Sequence, residues 1–254
     1  MIKLRSEHEI KLMAQAGEIA ELARRAAGEI IAPGVTTAEI NAAAHKVITA
    51  AGAKPSFLGY AGFPASICCS INDEVIHGIP GKRKVREGDI VKIDVGAFYM
   101  GYHGDCAATF TAGSVPEETQ RLIEVTRQSF YEGIKYAREG YRISDISHAI
   151  QEYNERHGFS VVREYVGHGI GTELHEEPEV PNFGPPGRGM RLFAGMTIAI
   201  EPMVNAGGWG VKLLSDGWTV KTADGSMSSH YENTILITKD EPIILTADAS
   251  GRHV

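Results

Sequence analysis

Polar and apolar positions alternate along the chain in two rhythms. Ser6-Glu-His-Glu9 has the form of a capping box, and Ile10, Met13, Ala14, Ala20, Ala23, Ala27 and Ile30 follow at helical spacing until Pro33-Gly34. This predicts a first helix over roughly 6–31. Thr36-Thr-Ala-Glu39 is a second capping box, and Ile40, Ala43, Ala44 and Val47 carry an apolar face up to Gly52, so a second helix follows. From 55 to 110 the apolar runs shorten and are separated by Gly, Pro and Asn, which predicts strands near 65–71, 90–97 and 104–111. The order then returns: helices at roughly 117–139 and 144–157, strands near 160–166, 196–203 and 230–238, and a Pro/Gly-rich loop at 178–190.

The return extends to single residues. Gly34, Glu39-Ile40 and Gly52 are answered by Gly140, Asp145-Ile146 and Gly158, with both Gly-to-Gly spans 18 residues and the copies offset by 106. Gly88 to Asp94 is matched by Gly195 to Glu201, now offset by 107. Such self-similarity points to one domain, residues 1–254, built from two fused halves at approximately 6–112 and 117–240. Helices on one side of a curved antiparallel sheet, twice over, make an α+β plan with pseudo-twofold symmetry.

That plan brings acids together. If 90–98 and 101–110 form a hairpin turning at Tyr99-Met100, residues whose numbers sum to 199 lie opposite one another, and Asp94 faces Asp105. By symmetry Glu201 and Glu232 form the second pair. Unpaired buried carboxylates are costly and normally bind a partner or a metal. Four of them at a pseudo-twofold axis repel one another unless cations intervene, and two divalent ions neutralise four charges. Oxygen-rich ligands suit Mn²⁺, Fe²⁺ or Co²⁺. An imidazole would complete the set. His77, His168 and His175 all sit in suitable settings, two of them flanked by glycine, and the other seven histidines do not.

Composition narrows the alternatives. A hydrophobic content of 43% with 22% charged residues provides a normal core, and a net charge of −7 argues against a nucleic-acid or anionic-membrane binder. The basic run Lys82-Arg83-Lys84 with Arg86 reads as a solvated turn in preference to an RNA or ribosome contact. Cys68, Cys69 and Cys106 make neither a disulfide framework nor a zinc cluster, which fits a reducing compartment. With no apolar leader and no continuous apolar run of about 18 residues, a cytoplasmic, soluble protein is expected.

Ser70-Ile-Asn-Asp-Glu-Val-Ile-His77-Gly-Ile-Pro80, Lys92-Ile-Asp94-Val-Gly, Gly101-Tyr-His-Gly-Asp105, Gly167-His168-Gly-Ile-Gly, His175-Glu-Glu-Pro178, Ile200-Glu201-Pro202 and Tyr231-Glu232-Asn-Thr234 stand in order along the chain. Together they resemble the type I methionine aminopeptidases, in a bacterial short form, from about residue 3 to 246. The resemblance implies the pita-bread fold and removal of the initiator methionine from nascent proteins when the next residue is small. It implies that Asp94, Asp105, His168, Glu201 and Glu232 hold two divalent ions (Co, Mn, Fe or Zn), with Asp105 and Glu232 bridging both.

By the same resemblance His77 and His175 face the substrate, Glu201 also moves a proton, and Tyr60, Phe63, Cys68 and Trp218 line the methionine pocket. Two departures, Phe63 where many relatives have Tyr and Leu174 where many have Phe, stay apolar and should tune the pocket. Two ions about 3.5–4 Å apart can share a water, lower its pKa and present it as hydroxide to a carbonyl. No Gly-x-Ser-x-Gly nucleophile motif is present. The partners implied are N-terminal peptides emerging at the ribosome, and the state implied is a monomer. Rival readings are a proline-directed peptidase on the same fold, whose members usually carry an extra N-terminal domain before the first helix, a non-catalytic binding relative, and a structural metal site.

Overall fold

The computed structural model describes residues 2–247. Helix α1 (Glu7–Glu29) starts at Ser6, whose side chain accepts from Glu9 N while the Glu9 carboxylate accepts from Ser6 N at 2.8 Å. Helix α2 (Thr37–Ala50) repeats that reciprocal cap with Thr36 and Glu39. Helices α3 (Glu117–Ile134) and α4 (Ile143–Arg156) are their counterparts, and Asp145 accepts from Arg142 N at 2.8 Å as Glu39 does from Thr36 N. Gly34 and Gly140, which precede the two capped helices, both have φ of +96°, a conformation a side chain would strain. The sequence repeat is therefore a repeat of backbone conformations.

One nine-stranded antiparallel sheet runs through both halves. Its named strands are β1 (Ile67–Ile71), β2 (Ile90–Tyr99), β3 (Tyr102–Thr111), β4 (Gly167–Gly169), β5 (Glu176–Val180), β6 (Thr197–Ile200) and β7 (Glu232–Leu236). The central order is β2-β3-β7-β6-β4-β5; β1 and Lys54–Pro55 also pair with β2, and Ile243–Ile244 with β7. The halves join where β3 meets β7, with Glu232 opposite Ala107. Ile19, Ala23, Ile40 and Ile48 of α1 and α2 bury against Ile67 and Ile93, while Phe130, Ile146 and Ile150 of α3 and α4 bury against Ile198 and Ile235. Burial of apolar area on this scale is the main force holding helices to sheet. A Cβ on Gly104 would collide with the backbone of Gly17, so α1 lies directly on β3.

The β2–β3 hairpin differs from the register expected. Tyr99 pairs with Tyr102, Asp94 with Ala107, and Gly96 with Asp105, so the numbers sum to 201 and Asp94 and Asp105 are diagonal neighbours, not opposite ones. The turn residues are Met100 (φ 48°) and Gly101 (φ 92°), two left-handed positions that match the twist of a two-residue hairpin. A slip of two preserves which face each side chain takes, so both aspartates still share one face. Elsewhere α3 ends at Ile134, short of the expected 139, the strand expected over 160–166 is confined to Ser160–Val161, and the start of the expected 178–190 loop belongs to β5.

Candidate metal centre and substrate pocket

The sheet register assembles the acids in two adjacent rows. Cys68 of β1, Asp94 of β2, Ala107 of β3 and Glu232 of β7 lie side by side, and Glu201 follows the last residue of β6, one step beyond the Asn233–Ile200 pair. In the next row His168 of β4 faces Ala199, Ala199 faces Thr234, and the Thr234 hydroxyl bonds the Asp105 backbone on both sides, accepting from Asp105 N at 3.0 Å and donating to Asp105 O at 2.9 Å. Ligand atoms of Asp105, His168 and Glu232 all come within 4.8 Å of one another, and His168 Nε2 is 3.6 Å from Glu201 Oε1.

Burial makes this cluster a poor place for bare negative charge. It pushes the Asp94 carboxyl up to about 7, and it raises Asp105, Glu201 and Glu232 well above the ordinary carboxylate range, with the neighbouring acids adding to the effect. Asp94 Oδ1, Asp105 Oδ1 and Glu232 Oε1 are buried with no hydrogen-bond partner. His168 is prepared in the complementary sense: its Nδ1 bonds the Gly169 carbonyl at 2.9 Å, which puts the proton there and leaves the Nε2 lone pair facing the acids. Burial lowers His168 to about 3, so the ring is neutral. A neutral imidazole and orphaned carboxylate oxygens are the donor set a divalent cation would satisfy. The Gly-His-Gly setting has a steric cause. A Cβ at 167 would strike the Ala199 carbonyl, and one at 169 the Glu177 carbonyl, so only glycines let β4 sit between its neighbours.

All eleven residues singled out from the sequence line one cavity of about 160 Å³. The acids and His168 form its polar end. Tyr60, Phe63, Cys68 and Trp218 form apolar walls with Phe57 and Leu174, and Phe63 meets the Trp218 ring edge-on at 5.0 Å between centroids. Phe57 was not foreseen; its signal, an aromatic two residues past Pro55, is too common to stand out. Trp218 and His77 come to the cavity from segments flanking one small sheet, in which Val220 pairs with Ile76. Asp216 fixes Trp218 by accepting from its backbone N–H, and from that of Thr219, both at 2.9 Å.

The three histidines that looked alike in sequence are placed differently. His168 stands among the acids. His175 stacks edge-on against it, 4.2 Å between centroids, and its Nδ1 is 2.7 Å from the Tyr60 hydroxyl. The loop bearing His175 is tied down by Arg5, which contacts the Ile170 carbonyl, Thr197 and Glu176, while Glu176 accepts from the N–H groups of Thr172 and Glu173. His77 has a φ of 59°, in the left-handed region, and burial lowers it to about 4. A fourth histidine, His230, is buried 3.9 Å from both Glu201 and Glu232. It corrects the expectation that the remaining histidines have no such setting; its position two residues before Glu232, on the same face of an extended segment, was the available signal. Among the described residues no helix is long and apolar enough to cross a membrane.

Comparison with known proteins agrees with this geometry. The model of metallopeptidase family M24 matches residues 11–239. The chain is 54% identical to a methionine aminopeptidase from Clostridium perfringens, over 97% of this chain and 99% of that protein, and 50% identical to methionine aminopeptidase 1 from Bacillus subtilis over 97% and 99%. The crystal structure of a methionine aminopeptidase from Thermotoga maritima superposes with a TM-score of 0.95 at 46% identity, covering 97% of this chain and 99% of that one. A prolidase from Pyrococcus furiosus superposes less closely, with a TM-score of 0.79 at 25% identity, over 96% of this chain and 65% of its own. The two-halved sheet with its acids at the seam is thus the pita-bread fold, and the chain belongs to metallopeptidase family M24.

Proposed function

We propose that the chain is a metal-dependent methionine aminopeptidase, removing an N-terminal methionine that precedes a small residue. The observation that carries this reading is the junction of an orphaned, buried acid cluster with an aromatic, sulfur-tolerant cavity. Similarity over nearly the whole length of methionine aminopeptidases supports it against the proline-directed alternative, since the Pyrococcus furiosus prolidase is less similar and longer. The two repeat halves, 6–112 and 117–240, act as one catalytic domain, because the acids come from both.

Asp94, Asp105, His168, Glu201 and Glu232 would hold two divalent ions. Such ions, when bound, lower the pKa of a shared water and polarise the scissile carbonyl. Glu201 accepts the water proton, as a carboxylate standing at the polar end of the cavity can. His175 donates from Nε2–H to the carbonyl oxygen, and His77 meets the peptide nitrogen that becomes the leaving amine. Tyr60, Phe63, Cys68 and Trp218 receive the methionine side chain and exclude water. The ions are Co, Mn, Fe or Zn, the substrates are N-terminal peptides of nascent chains at the ribosome, and the protein works as a cytoplasmic monomer.

Hydrolysis of Met-Ala-Ser against an Ala-Pro peptide, with chelator and with added Mn²⁺ or Co²⁺, tests this. Metal-dependent release of methionine alone is expected; cleavage of the Ala-Pro peptide, or activity that survives chelation, would reject it.

A further inference from the structure

His230 lies behind the acid cluster, outside the cavity lining, and is 2% exposed. Its Nε2 is buried and has no hydrogen-bond partner, while Oε2 of Glu201 and Oε2 of Glu232 each lie 3.9 Å from it. A buried polar nitrogen without a partner is costly and rare. Its equidistance from two carboxylates of opposite strands comes from the backbone. His230 ends the strand Ser228–His230, pairs with Met203 two residues after Glu201, and stands two residues before Glu232. Thr109 of β3 clamps it from the other side, its hydroxyl accepting from His230 N at 3.0 Å and donating to His230 O at 2.9 Å. The ring therefore has little freedom, whereas the terminal torsion of a glutamate is broad and soft.

We propose that His230 is a positioning residue whose Nε2–H donates to the carboxylates of Glu201 and Glu232 and fixes the orientation in which they meet a divalent ion. This rests on the metal-centre reading above. Partners of this kind, one bond removed from a metal, typically change affinity by roughly 10–100-fold when lost. The ring is assigned no bond to the ion, since His230 is not among the residues that line the cavity. A glutamine at 230 also offers an N–H and should replace it, whereas a leucine should not.

The test is Co²⁺ binding to metal-free wild type, His230→Gln and His230→Leu, measured by competition with a chromophoric chelator and by the visible absorption of bound Co²⁺. Thermal unfolding of each metal-free protein serves as the check on folding. Expected are His230→Gln within about 3-fold of wild type with the same spectrum, and His230→Leu weaker by roughly 10–100-fold with a shifted spectrum, though no less stable without metal. His230→Ala provides a second truncation should leucine not fold. Equal affinity and spectrum in all variants would overturn the proposal. So would a His230→Gln as weak as His230→Leu, which would make the imidazole a direct ligand. Wild type that binds no Co²⁺ would instead overturn the metal-centre reading on which this depends.

Discussion

The Tyr60 hydroxyl sits 2.7 Å from Nδ1 of His175. Burial and the Glu173 carboxylate raise the Tyr60 phenol above its ordinary pKa, so it keeps its proton and donates it to Nδ1. The single proton of the neutral imidazole is then held on Nε2, the atom assigned to the carbonyl oxygen. Tyr60→Phe is expected to lower kcat about 10-fold, the worth of one hydrogen bond in the transition state, while bound metal stays unchanged. His175→Ala, which removes the donor itself, should cost about 100-fold or more in kcat. Steady-state kinetics with metal analysis of both variants decides the matter. Equal loss of bound metal in His175→Ala would return that histidine to the ligand set.

His77 is held at φ 59°, which for a residue with a Cβ costs about 1–2 kcal/mol. That strain is expected to be local to the backbone and separable from the ring's function. His77→Gly should therefore unfold at a higher temperature than His77→Ala, by the order of 1 kcal/mol in stability, although both lose kcat. Paired thermal melts give the comparison, and a glycine variant less stable than alanine would show that the left-handed turn carries no strain.

Asp94 makes a pH prediction for the metal-free protein. Its carboxyl is raised from 3.8 to about 7 by burial, so between those values the folded state retains a proton that the unfolded chain has released. A raised acid therefore costs stability as pH increases through this window, up to the order of 4 kcal/mol above it. In chelator, Asp94→Asn should match wild type near pH 4 and become the more stable protein towards pH 7. With Mn²⁺ present the order should reverse, since the ion takes the place of the proton. Urea unfolding of both proteins across this range, with and without Mn²⁺, measures the crossing; a difference that does not change with pH would contradict it.

Phe63 and Trp218 meet edge to face across the methionine pocket. Trp218→Ala is expected to raise KM for Met-Ala-Ser about 10-fold while leaving kcat and bound metal near wild type, because the wall binds side chain and not the reacting carbonyl. A fall in kcat at unchanged KM would place Trp218 in the chemistry instead.

Much of this arrangement was legible in the chain, and the exceptions have physical causes. Ser6/Glu9 and Thr36/Glu39 announce the first two helices because capping chemistry is local. The Gly88/Gly195 and Asp94/Glu201 pairs announce the repeat because both halves need the same turn before the same strand; both glycines have positive φ. The hairpin register was misplaced by two because Tyr99 and Met100 are uninformative, whereas Met100-Gly101 is the pair that takes two left-handed positions. The parity survived, and with it the shared face of Asp94 and Asp105. Strand β5 was hidden by Pro178 and its polar glutamates. The distinct settings of His77, His168 and His175 could not be read from residue spacing, since they depend on Val220 pairing beside His77, Glu201 reaching His168 and Tyr60 reaching His175, contacts made only in three dimensions.

The most direct measurement is an anomalous-difference map from crystals soaked in Mn²⁺. Two peaks about 3.5–4 Å apart are expected, one beside Asp94 and one beside His168 and Glu201, with Asp105 and Glu232 reaching both. No peak in the acid cluster, or a peak bound by residues other than these five, would contradict the metal centre and the mechanism built on it.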